Sequence, residues 1–205
     1  MLKKSFFCLA LVAVLSIGLV WAQKSNKVKS FILAVGGHNQ TAEYGSLIDL
    51  KNEKVYKVDE VSYPGDIDLL YAYGQTTKSN LMTPNSTSIT QFGTVYKDKV
   101  ANAWEVKNRG MMVVIKSGKK NKGLFKELKK GDDIERLYLE TVKTIKEEPE
   151  YNILRNGPSR RLTELEIGDL ILFRSQSKQL YAAGFVVGLT EGTKGMIDID
   201  FKVTR

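Results

Sequence analysis

EIGDLILFRSQSKQLYAAGFVVGLTEGTKGMIDIDFKV, Glu166 to Val203, is the stretch that decides the fold class. Gly168-Asp169 opens a first strand, Leu170-Ile171-Leu172-Phe173, and the polar cluster Ser175-Gln176-Ser177-Lys178 turns it into a second, Leu180 to Leu189. Glu191-Gly192-Thr193-Lys194-Gly195 turns that into a third, Met196 to Val203. In the third strand Ile197, Ile199, Phe201 and Val203 alternate with Asp198, Asp200 and Lys202. Side chains two apart on a strand share a face, so this spacing predicts one buried face and one wet face. The second strand is apolar at nearly every position and carries Gly184 and Gly188. That composition predicts burial on both faces and a close neighbouring backbone.

The upstream half is also β in character. Phe31 to Val35 is an apolar run ended by Gly36-Gly37, Tyr44 to Leu50 and Val55 to Val61 flank the turn Lys51-Asn52-Glu53-Lys54, and Ile67 to Tyr73 forms a further strand before Gly74. Gln75 to Ser88 reads as a long polar loop, and Met111 to Ile115 as another strand after Asn108-Arg109-Gly110. Lys116 to Lys130 then holds seven lysines. Ile134, Leu137, Tyr138, Val142 and Ile145 recur at helical spacing, which predicts one amphipathic helix over 132–148, with Asp132 and Glu135 as its capping box and Pro149 as its stop. Arg155 to Arg161 reads as a loop returning the chain to the meander.

Lys3 and Lys4 precede an apolar and small-residue run from Phe6 to Ala22, ending Val20-Trp21-Ala22. This pattern predicts a signal peptide over 1–22 and export to the periplasm or cell surface. The competing reading is an uncleaved anchor, the chain's one expected contact with a membrane, because the run sits at the short edge of spanning length, about 17–25 residues. Cys8 is the sole cysteine, so the chain after cleavage relies on its core rather than on disulfides, as suits a bacterial envelope. The remainder, 23–205, has the length of a single β-rich domain, with two sub-lobes, about 30–115 and 160–205, as the alternative division, joined by the helical segment. A formal charge of +8 permits anionic partners without requiring them.

Gly45 to Leu50 with Val55-Tyr56, Asp66 to Tyr73, Met82-Thr83-Pro84, Leu165 to Phe173 and the Ile197 to Val203 strand together resemble the recurrent pattern of small exported β-rich domains of Bacteroidetes. The resemblance implies a β-rich fold and a place in the envelope of organisms that live on complex glycans. Many such domains are lipoproteins, whereas this chain lacks the context for a lipidated cysteine. The family has no catalytic motif to carry over.

The residue inventory excludes several chemistries. With Cys8 and His38 each alone, there is no Cys-His pair and no zinc site of cysteine or multiple-histidine type, and no Gly-x-Ser-x-Gly elbow supports a serine triad. No cofactor is expected. His38 follows Gly36-Gly37 and reads as an exposed turn histidine, the functional alternative being a lone base or ligand. Asp66 and Asp68, at the mouth of a strand carrying Tyr71 and Tyr73, are the candidate site: same-face carboxylates about 7 Å apart beside rings suit glycan binding or cleavage, or calcium ligation. The plain alternative is a turn aspartate and an edge charge. Lys119, Lys120 and Lys122 are candidates for a polyanion, with no nucleic acid expected because aromatics are sparse there.

The expectation is therefore a mainly β protein of two packed sheets or a partly closed barrel with one helix. Its function is that of an exported, non-enzymatic binding or structural accessory protein of the envelope, toward glycan or an envelope protein. The alternative is a carbohydrate-active enzyme using Asp66 and Asp68.

Overall fold

A computed structural model describes residues 27–39 and 44–204, and the expected signal peptide lies outside them. The elements run β1 (Val28–Gly36), β2 (Leu47–Asp49), β3 (Lys54–Tyr56), β4 (Leu69–Gly74), β5 (Lys78–Met82), α1 (Gly93–Tyr96), β6 (Gly110–Ile115), α2 (Asn121–Glu127), α3 (Gly131–Thr144), α4 (Ile153–Asn156), β7 (Arg161–Leu162), β8 (Leu170–Ser175), β9 (Leu180–Thr190) and β10 (Met196–Thr204). The strands form two antiparallel five-stranded sheets, β1-β10-β9-β8-β6 and β3-β2-β4-β5-β7, and neither closes into a barrel.

The alternation in β10 sets the first layer boundary. Ile197, Ile199, Phe201 and Val203 join Ile171 and Phe173 of β8 and Met112 and Val114 of β6 in a cluster that takes in Ile48, Leu69, Tyr71, Leu81 and Leu162 of the second sheet. Both halves of the chain thus fill one inter-sheet core, where each fully buried large apolar side chain contributes roughly 1.5–3 kcal/mol. The opposite face of the first sheet carries α2 and α3, with Phe125, Leu128, Ile134 and Tyr138 set on Val113, Leu170, Leu172 and Ala183. The opposite face of the second sheet carries α1 and the short helical turns around it, with Ile89, Phe92, Tyr96, Val100 and Trp104 set on Leu47, Leu70, Ala72 and Met82. The result is four layers, helix over sheet over sheet over helix.

Several expectations are corrected. The second face of β10 is part-exposed at Asp198 and Asp200 but covered at Lys202. Lys202 is buried beneath α2, where its Nζ donates to Phe125 O at 2.7 Å and Leu128 O at 2.9 Å. It answers carbonyls that the end of α2 leaves open, while its ammonium stands 4.7 Å from the Phe125 ring centroid. The lysine-rich segment contains α2, whose short apolar set, Phe125 followed by Leu128, gives no sustained period. The polar stretch after Gln75 contains β5, whose Ser79 and Asn80 are buried because their side chains bond to Tyr71 Oη and to Lys78 O. The loop ahead of the meander contains α4 and β7. The amphipathic helix starts at Gly131, and Asp133 Oδ2, rather than Asp132, accepts from Lys130 N at 2.9 Å and Lys129 N at 3.2 Å. At Gly184 a Cβ would stand 2.8 Å from Ile199 Cγ2 and 3.0 Å from the Phe201 ring, so the close neighbour is side chain, not backbone.

Candidate functional site

The site forms where turns from both sheets meet. In the β2–β3 turn, Asp49 accepts from Lys51 N, Asn52 N and Asn52 Nδ2, an Asx-turn that fixes the hairpin. Ahead of β4, the turn Pro64–Asp66 is clamped by Asn108 Nδ2, which donates to Gly65 O at 2.6 Å and Ile67 O at 2.7 Å. In the β8–β9 turn, Lys178 N donates to Ser175 Oγ, and the lysine side chain crosses from the first sheet to the second. There its Nζ donates to Asp66 O at 2.7 Å and stands 3.0 Å from Asp68 Oδ1.

Between these turns lies a cleft of about 580 Å³. Leu50, Leu180 and Val203 give it an apolar floor, and Lys29, Lys51, Asn52, Asp66, Lys178 and Gln179 supply donors and acceptors around it. Asp68 lies beneath and is sealed from solvent. Its Oδ2 accepts from Leu50 N at 3.0 Å, while Oδ1 has charge contact with Lys178 but no hydrogen bond. Burial pushes the Asp68 carboxyl up to about 6, against the opposing pull of the Lys178 charge and the Leu50 N–H.

The candidate residues read from the sequence are only partly brought together. Asp66 lines the cleft and Asp68 underlies it, but Asp68 presents no oxygen to a ligand. Tyr71 is sealed in the inter-sheet core, its Oη accepting from Ser79 Oγ, and burial pushes it up to about 12. Tyr73 Oη donates to Glu191 Oε2 at 2.8 Å in the β9–β10 turn. Neither ring lines the cleft, so the carboxylate-and-ring constellation is not assembled there. Spacing alone predicted a shared strand face for the two aspartates, and the first sheet laid over β4, with Lys178 set against Asp68, is what removes Tyr71 and Asp68 from solvent.

His38 is packed rather than exposed. Its Nδ1 accepts from Tyr73 N, and its ring lies 5.5 Å from Phe92 and 6.0 Å from Tyr96 by centroids. Burial holds its pKa below the ordinary imidazole value. Lys119, Lys120 and Lys122 are exposed at the start of α2 and do not line the cleft. Lys178 is the contributor that sequence reading missed. It appeared only as a turn residue, and its one legible signal was a lone long cation in a turn between two buried strands. Among the described residues no group of three or more His, Cys, Asp or Glu is placed to hold a metal ion, and no helix is long and apolar enough to cross a membrane.

The sequence matches no known family model and no curated protein. Among solved structures, the fold is similar to that of a DUF4466 family protein from Parabacteroides merdae, with a TM-score of 0.55 and 12% identity. The likeness covers 87% of this chain and 54% of that one, so the chain spans about half of that structure's length. At this identity the similarity is one of fold, and it agrees with the resemblance to β-rich Bacteroidetes domains.

Proposed function

We propose that this chain is an exported, non-enzymatic binding protein of the cell envelope and that the cleft over Lys178 and Asp66 seats its ligand, a glycan. The observation that carries the reading is the cleft's composition. Ammonium and amide donors, one accessible carboxylate and an apolar floor surround a volume of about 580 Å³. A few polar groups converging on an apolar surface are what a small hydroxyl-rich ligand requires. Export rests on the Lys3-Lys4 and Phe6 to Ala22 pattern, and sequencing of the N-terminus of protein from intact cells tests it: a start at Gln23 supports cleavage, and a start at Met1 ends that part of the reading.

A glycan-array screen at low and high salt tests the ligand. The expected result is saccharide binding that survives salt, because hydroxyl recognition is not screened as a long-range charge is. It is lost in the Asp66→Asn, Asn52→Ala double variant. No saccharide bound by the wild type would end the glycan reading in favour of a protein partner.

The alternative, a carbohydrate-active enzyme using Asp66 and Asp68, has one observation in its favour: a carboxyl raised to about 6 suits a general acid. Against it stands the sealing of Asp68 under Lys178. Hydrolysis of an array-identified saccharide, abolished by Asp68→Asn while binding persists, would favour the enzyme.

A further inference from the structure

A buried cation is costly unless an opposite charge lies beside it. Two of the exposed arginines, Arg136 and Arg155, have such partners, Asp133 at 3.2 Å and Glu164 at 2.6 Å. Arg161, at the start of β7, is 8% exposed, and among the described residues no carboxylate lies in ion-pair range of it. Its partners are neutral: Nε donates to Asn80 Oδ1 and Nη1 to Gln91 Oε1, each at 3.0 Å, and the guanidinium carbon stands 5.2 Å from the Phe92 centroid. Burial lowers its pKa, and no nearby acid offsets the effect.

The neutral partners hold the guanidinium in one orientation. Asn80 Nδ2 donates to Thr77 Oγ1 at 3.1 Å and Lys78 O at 2.6 Å, which turns its oxygen toward Arg161. Gln91 accepts through Oε1, so its amide nitrogen is left as a donor beside the cation, and Gln91 is exposed. Nη2 makes no hydrogen bond among the described residues. Arg161 keeps 8% of its surface exposed, beside the exposed Gln91. One oriented positive charge and one amide donor on the exposed Gln91 match a planar monoanion, whereas a phosphate dianion would bring a charge in excess. We infer that Arg161 anchors a second ligand site, for a small carboxylate held by Nη2 and the Gln91 amide. The site stands on the outer face of the second sheet against Phe92, apart from the inter-sheet cleft, and does not depend on the glycan reading.

Calorimetric titration and thermal melts of the protein in chloride buffer test this, with sodium acetate, sodium glucuronate, sodium phosphate and glucose as probes. Acetate and glucuronate are expected to bind and raise Tm, and glucose and phosphate to do neither at the same concentration. Tighter binding of glucuronate than acetate identifies a sugar-borne carboxylate, and equal binding a free one; both support the site. Arg161→Gln is expected to weaken carboxylate binding at least about tenfold. Its melt without carboxylate serves as the fold control, because the change also removes the donors to Asn80 Oδ1 and Gln91 Oε1. Gln91→Ala changes an exposed side chain and is expected to weaken binding several-fold, which keeps the inference testable if Arg161→Gln fails to fold. A wild type indifferent to both carboxylates, a response unchanged in both variants, or phosphate binding more tightly than acetate would each overturn it.

Discussion

Asp169 and Asp68 are both sealed carboxylates with a lysine beside them, and they differ in how fully their oxygens are answered. Asp169 Oδ2 accepts from Lys116 Nζ at 2.6 Å and Glu166 N at 3.0 Å, and Oδ1 accepts from Ser117 N at 2.8 Å. This ties the end of β6 to the entry of β8 within one sheet. Asp68 takes one hydrogen bond, from Leu50 N, and its lysine divides itself between Asp68 and the carbonyl of Asp66. Burial raises both carboxyls. The completed site is a structural knot, whereas the incomplete one lies directly under a cleft that Lys178 lines.

The largest expected effect tests the knot. Asp169→Ala leaves Lys116 and two backbone N–H groups without their acceptor, and is expected to cost about 3–5 kcal/mol in urea unfolding. Asp68→Asn at neutral pH should cost far less, or stabilise, because it removes an ill-satisfied charge. Equal losses in the two would erase the contrast.

Next comes pH. The Asp68 carboxyl rises from 3.8 to about 6 on folding, so the native state holds this proton more tightly than the unfolded chain. Its contribution to stability is therefore fully present below about pH 4 and lost as pH rises through about 6, a change on the order of 3 kcal/mol. Urea midpoints measured from pH 4 to 7 should fall in the wild type and fall less in Asp68→Asn. A residual slope of the same sign belongs to Asp169, whose carboxyl is also raised. Parallel slopes in wild type and variant would show that Asp68 is not the titrating group.

Lys178→Met sharpens the same point. It removes the cation from Asp68, and is expected to cost about 1–3 kcal/mol at pH 7 and less at pH 4, where Asp68 is protonated and the bond to Asp66 O is what is lost. A loss of equal size at both pH values would assign Lys178 to packing alone. The smallest effect is expected at Lys202, a buried charge whose role is to accompany α2. Lys202→Met should cost about 1–2 kcal/mol and speed amide exchange in α2, with β10 unaffected. Loss of protection across β10 would mean that Lys202 supports the sheet instead.

The elements legible in the sequence are those whose pattern is local. β10 announces itself by strict alternation, β9 by continuous apolarity between two turns, and α3 by its helical period. β5 and α2 were hidden for a common reason. Ser79, Asn80 and Asn121 are polar residues buried because they find partners, and a polar residue in a sequence looks the same whether its partner is water or a neighbouring chain segment. The site shows the same limit. Asp66 and Asp68 stood out by type and spacing, while Lys178, far along the chain, is what joins them.

Periodicity and turn chemistry were enough to specify a β-rich chain, its C-terminal meander, its amphipathic helix and a poverty of cysteine and histidine that narrows its chemistry. These follow from side-chain direction along a strand or helix, which needs no knowledge of the rest of the molecule. The stacking of all four layers decided the surroundings of individual polar groups: the sheets seal Tyr71 and Asp68, α2 on the first sheet meets Lys202, and the outer layer on the second sheet buries Arg161 with no acid in ion-pair range among the described residues. The energy of a buried polar group depends on the few atoms that touch it, and in this fold those atoms come from segments distant in the chain.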